Sequence, residues 1–98
     1  MWVLETKNAA TEQVTFLIPA GSIKTIGRSP GAEFIVDAAL VSRLHCQITA
    51  GSISLQVKDL GSTNGTFVNG KRVQIAELYE GDTLSVGRLE LTVSRKTN

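Results

Sequence analysis

The sequence is poor in the residues on which cross-linking and most side-chain chemistry depend. Its 98 residues hold one cysteine, one histidine, two prolines, one tryptophan, one tyrosine and three phenylalanines. The lone Cys46 excludes an internal disulfide and suits a reducing compartment. The lone His45 has no second histidine, thiol pair or carboxylate at ligand spacing, so neither a metal site nor any other cofactor is expected. Charge of one sign is lacking too. Ten basic and nine acidic residues leave a net charge of +1, which points neither to nucleic acid nor to an acidic membrane surface. Any anion binding must therefore be local. No apolar run is long enough for a transmembrane helix, and the opening "MWVLETKN" lacks a basic-then-apolar leader pattern. Helical periodicity is also scarce; the best stretch, Ile75 to Tyr79, is too short to stand alone.

What is present is a series of short strand signals. They open at Trp2–Leu4 and continue through Gln13–Ile18, the alternating stretch Ser22–Gly27, and Glu33–Asp37. His45–Ala50 and Ser52–Leu60 follow, with Ile53, Leu55 and Val57 facing one way and the Gly51-Ser52 pair read as a tight hairpin connection. Near the end, Leu84 and Val86 precede Gly87-Arg88, and Leu89, Leu91 and Val93 follow it, which makes a second hairpin. Asn69-Gly70 is a strong type I′ turn signal. Many short strands with Gly-rich turns argue for an all-β antiparallel sandwich. The chain is long enough for one domain, residues 1–98, with its core at about 2–94 and a frayed tail at 95–98.

A sandwich gathers its loops at two ends, where binding residues sit on a rigid frame. Three segments stand out: Gly27-Arg28, "VSRLH" from Val41 to His45, and "DLGSTNGTFVNG" from Asp59 to Gly70. Brought together, they would supply two guanidiniums, two hydroxyls and an amide, with Asp59 the one carboxylate at the edge. A planar guanidinium suits bidentate contact to phosphate oxygens, and a hydroxyl adds a short donor. An asparagine amide donates and accepts at once, as holding an extended peptide requires. The set suits a phosphorylated side chain. Catalysis would need a nucleophile with a base, or paired carboxylates, and the loops offer neither, so an enzyme is not expected. Each residue also has a plainer reading. Arg28 and Arg43 could be solvated surface charges, Ser42 a loop hydroxyl and Asn64 a left-handed turn residue. Cys46 reads as an inert thiol, Trp2 as core and Gly87-Arg88 as a turn.

In this order and spacing, Gly27-Arg28, Ser42-Arg43-Leu44-His45 and Asp59–Gly70 resemble the successive motifs of the forkhead-associated (FHA) domain, and "LYEGDTLSVG" resembles its C-terminal part. The resemblance covers nearly the whole chain. It implies a sandwich of about eleven strands that reads phosphothreonine in a short extended peptide. Arg28 and Ser42 would bind the phosphate, Arg43 would support it, and Thr63 and Asn64 would line the rim. Asn64 would hold the peptide main chain. Gly27, His45 and Gly65 would shape the loops. The threonine methyl would fill a small pocket between them. Partners would then be phosphothreonine proteins, with a Ser/Thr kinase upstream, and the isolated domain a monomer within a larger signalling protein. The location would be cytoplasmic in a bacterium, which the motif wording favours, or nuclear in a eukaryote. The small apolar stretch Asp37–Val41 suggests an aliphatic preference at the third residue after the phosphothreonine. A phospho-independent interaction domain using a sheet face or edge is the alternative.

Overall fold

The computed structural model describes residues 1–7 and 13–96. Among them, eleven strands run in chain order with no helix: β1 (Trp2–Thr6), β2 (Thr15–Ile18), β3 (Ile23–Gly27), β4 (Phe34–Ile35), β5 (Cys46–Ala50), β6 (Leu55–Asp59), β7 (Thr66–Val68), β8 (Lys71–Val73), β9 (Ile75–Leu78), β10 (Thr83–Val86) and β11 (Leu89–Arg95). They form a six-stranded sheet ordered β2-β1-β11-β10-β7-β8 and a five-stranded sheet ordered β4-β3-β5-β6-β9. The expected all-β sandwich is the observed one. One strand pair departs from the antiparallel rule: β4 runs parallel to β3, pairing Ile26 with Phe34.

Alternation decides which face is buried. Along β5, Cys46, Ile48 and Ala50 point inward, and along β6 Leu55, Val57 and Asp59 do. Leu84, Val86, Leu89, Leu91 and Val93 supply the opposite wall from β10 and β11. The turns behave as their residues dictate. Asn69 and Gly70 have φ of +51° and +83°, the two positive angles that a type I′ turn needs between β7 and β8. Val86 pairs with Leu89 across a two-residue turn, with Gly87 at φ +62° in its first central position.

The connection between β5 and β6 differs from expectation. It spans Gly51–Ser54, closed by the Gly51 N–H donating to the Ser54 carbonyl at 2.9 Å. Ile53 therefore lies in the turn, 76% exposed, and does not continue the inward row of Leu55 and Val57. The longer turn delays the alternation to Leu55, two residues after the sequence pattern begins at Ile53.

Trp2 is core, as expected, but its indole also holds the chain ends. Its Nε1–H donates to the Gly51 carbonyl at 2.9 Å, and the Arg95 guanidinium lies over the ring at 4.6 Å. Arg95 also donates to the Ser52 carbonyl. The tail expected to fray from residue 95 is thus held at its start: Arg95 pairs with Trp2, and the Lys96 N–H donates to the Met1 carbonyl at 2.8 Å. Residues 97 and 98 lie outside the described residues.

Cys46 is wholly buried, and burial, helped by the nearby Asp59 charge, pushes its thiol up to about 12. Because the thiolate is the reactive form, native protein is expected to resist iodoacetamide at pH 8. Mass spectrometry should find full alkylation only in denaturant; rapid native labelling would show that this strand opens.

The register gathers the loops at one pole. Ile26, Cys46 and Asp59 form one cross-strand row, so the end of β3, the start of β5 and the end of β6 lie side by side. In the other sheet Thr66 pairs with Val86, which brings the start of β7 and the β10–β11 turn together.

Candidate functional site

The backbone fixes the first two segments before any side chain acts. The Arg28 and Ser29 amides donate to the Ser42 and Arg43 carbonyls at 2.9 and 3.0 Å, and the His45 amide donates to the Ile26 carbonyl at 2.8 Å. This close approach explains Gly27. A Cβ built there would lie 2.1 Å from the Arg43 carbonyl oxygen.

His45 ties the second segment to the third. Its ring is wholly buried; Nδ1 accepts from the Ser42 amide at 3.0 Å, and Nε2 lies 2.8 Å from the Gly65 carbonyl. That bonding assigns the proton to Nε2, which donates to Gly65, and the imidazole is neutral. Gly65 has φ +91°, and Gly61 has φ +79°. These glycines take the left-handed positions that the sequence also offered to Asn64, so Asn64 is released for other work.

Asp59 organises the third segment from beneath. One carboxylate oxygen accepts from the Gly61 and Ser62 amides, each at 3.0 Å, and the other from the Ser62 and Thr66 hydroxyls. The Ser62 hydroxyl in turn accepts from the Gly65 amide at 3.0 Å. Burial opposes the Asp59 charge, but these donors outweigh it and hold the carboxyl below its usual 3.8. A carboxylate with a lowered folded pKa contributes stability that is present above the unfolded value and lost as pH falls through the folded one. The loop is therefore expected to be fully held at neutral pH and to loosen only below about pH 4. Amide exchange at Gly61 and Ser62 on acidification would check this. Unchanged protection down to the folded pKa and beyond would show that the carboxylate is not the anchor.

Between these segments lies an open cavity of about 140 Å³, lined by Arg28, Ala39, Leu40, Val41, Ser42, Thr63 and Asn64. Among the described residues no carboxylate lines it. Arg28 Nε donates to the Val41 carbonyl at 3.0 Å, which aims the guanidinium while leaving both terminal nitrogens without a partner among the described residues. Ser42 Oγ accepts from the Thr63 amide at 3.0 Å, so its own proton is free to donate outward. Asn64 Nδ2 donates to the Leu40 carbonyl at 3.1 Å, leaving the amide oxygen and one N–H available.

Four of the five binding residues read from the sequence thus converge: Arg28, Ser42, Thr63 and Asn64. Arg43 does not join them. Its side chain is exposed and absent from the cavity wall, while its carbonyl braces Gly27 and Ser29. The apolar wall formed by Ala39, Leu40 and Val41 had no signal of its own beyond small apolar residues next to a loop.

A β-sandwich with a polar, donor-rich cavity between three loops at one pole is a ligand-binding module. The family comparison makes this particular: the chain belongs to the FHA domain family, whose model matches residues 24–87. The ABC transporter ATP-binding/permease protein Rv1747 of Mycobacterium tuberculosis is 32% identical over 95% of this chain, which spans 12% of that protein's length. The FHA domain of FhaA, solved in complex with the intracellular domain of Rv3910, is 32% identical with a TM-score of 0.83, covering 95% of this chain and 99% of that one. An FHA structure from an analysis of phosphothreonine-dependent interactions is 30% identical with a TM-score of 0.83, covering 99% and 98%.

Proposed function

We propose that this domain binds phosphothreonine-containing segments of partner proteins, without catalysis, as an adaptor downstream of a Ser/Thr kinase. The observation that carries the reading is the cavity itself: Arg28, Ser42 and Asn64 each keep a donor unspent there, and among the described residues no carboxylate opposes an anion. A phosphothreonine brings a charge of roughly −1.5 to −2 and strong acceptor oxygens. Arg28 and Ser42 take the phosphate, Thr63 borders it, and Asn64 holds the neighbouring peptide main chain. Arg43 supplies longer-range positive charge from outside the cavity. Gly27, His45 and Gly65 keep the loops in place. Ala39, Leu40 and Val41 offer the surface against which the threonine methyl packs. One methyl-sized group contributes about 0.8 kcal/mol, close to a fourfold preference over phosphoserine.

The phosphothreonine-dependent interactions of one similar structure, and the intracellular domain bound by another, support the same partner class and a cytoplasmic setting. Among the described residues no helix is long and apolar enough to cross a membrane. We take the isolated domain to act as a monomer that binds neither nucleic acid nor membrane, within a larger signalling protein.

Titration with degenerate peptide pools tests the reading. Binding of the phosphothreonine pool, weaker binding of the phosphoserine pool and none of the unphosphorylated pool is the expected result. Binding indifferent to phosphate would overturn it and move attention to the sheet faces.

A further inference from the structure

The β10–β11 turn packs directly on the recognition loops. A Cβ on Gly87 would lie 3.1 Å from Val41 Cγ2 and 3.2 Å from the Leu40 carbonyl carbon. This contact carries Arg88 to a second, larger cavity of about 310 Å³, lined by Ala38, Ala39, Leu40 and Arg88. Ala39 and Leu40 also line the phosphate-sized cavity, so the two share a wall. The floor is aliphatic, and among the described residues Arg88 is the only charged one lining it. Among the described residues no carboxylate pairs with Arg88, and its side chain is exposed. An arginine held over an apolar floor, beside a site for an anionic peptide, lacks only an acidic partner.

We propose that Arg88 is a specificity residue: it selects phosphothreonine peptides carrying an acidic side chain a few residues from the phosphate. A glutamate fits best, because its methylenes lie on Ala38, Ala39 and Leu40 while its carboxylate meets the guanidinium. The inference rests on the phosphothreonine reading above. It also changes the expectation of an aliphatic preference, which followed from Asp37–Val41 without the arginine that the other sheet brings to them.

The test is a set of phosphothreonine peptides with a single Glu, Lys, Leu or Ala placed at each of the four positions on either side. At one position Glu is expected to bind about fivefold tighter than Ala, and Lys more weakly than Ala. The Glu advantage should shrink as salt is raised from 50 to 500 mM, since exposed pairs are screened. Arg88→Glu should invert the order, so that Lys is preferred over Glu at that same position. A phospho-dependent domain that prefers Leu, or shows no charge preference at any position, would overturn the role of Arg88 and leave the phosphothreonine reading standing. Failure to distinguish phosphorylated from unphosphorylated peptides would overturn both.

Discussion

Arg28→Ala is expected to weaken phosphothreonine-peptide binding by about thirty- to a hundred-and-fiftyfold while leaving the fold intact. The guanidinium is held by a single backbone contact, Nε to the Val41 carbonyl, and Arg28 lines the cavity with its terminal nitrogens unpartnered among the described residues. Charge-assisted hydrogen bonds contribute about 1.5–3 kcal/mol each, and an exposed site lies toward the lower end of that range. Losing a bidentate contact therefore costs about 2–3 kcal/mol of binding. The side chain is exposed, so the folded state loses one modest bond to Val41 and no core packing. Isothermal titration should show the loss of affinity, and a thermal melt should show little change. Arg28→Lys should recover only part of the binding, because an ammonium keeps the charge but neither the fork nor the Nε contact. Wild-type affinity in Arg28→Ala would mean that the phosphate is held elsewhere.

Gly27→Ala is expected to damage both stability and binding, although it adds one methyl group to a residue that faces away from the cavity. The new Cβ would sit 2.1 Å from the Arg43 carbonyl oxygen, far inside any tolerable contact. That carbonyl is backbone and cannot swing aside as a side chain would. It also accepts the Ser29 amide, and the adjoining Ser42 carbonyl accepts the Arg28 amide. Relief of the overlap must therefore separate the two segments that carry Arg28 and Ser42. Overpacking in a well-packed site costs roughly 1–3 kcal/mol and occasionally more, and the rigid partner here places the cost at about 3 kcal/mol. For a domain of this size that is a fall in Tm on the order of 10–20 °C. Calorimetry and peptide titration of the same variant would check both effects. A melt within two or three degrees of wild type would show that the segments part more easily than their hydrogen bonds imply.

Much of the domain was legible in the sequence, because its determinants are local or come as a set. Asn69-Gly70 and Gly87-Arg88 specify their turns by residue type, and the alternation from Leu84 to Val93 specifies which face is buried. Arg28, Ser42, Thr63 and Asn64 were legible together, since donors clustered on loops have few other uses in a chain so nearly neutral. What could not be read depends on contacts between distant elements. The parallel β3–β4 pair requires the chain to double back between Gly27 and Phe34 and then run forward again, a course that leaves no periodic trace. Ile53 keeps the alternating pattern but falls in a turn one residue pair longer than the motif suggests. Arg43 shares its residue type with Arg28, and only the packing of its carbonyl against Gly27 shows that its backbone does the structural work. Arg88 looked like turn chemistry because its neighbours in sequence are strand residues, whereas its neighbours in space are Ala38, Ala39 and Leu40.

The pairing of β1 with β11 has a consequence for which pole of the sandwich is left open. Met1 and Lys96 are hydrogen-bonded to each other, and Trp2 and Arg95 lock that junction onto the Gly51–Ser54 turn. That turn lies at the far end of β5 and β6 from His45 and Asp59, so the Met1–Lys96 junction occupies the pole opposite the recognition loops. The junction of these two strand ends therefore leaves the recognition loops uncovered. The same geometry makes the domain a natural candidate for transplantation into a surface loop of an unrelated scaffold, with its binding face pointing away from the splice.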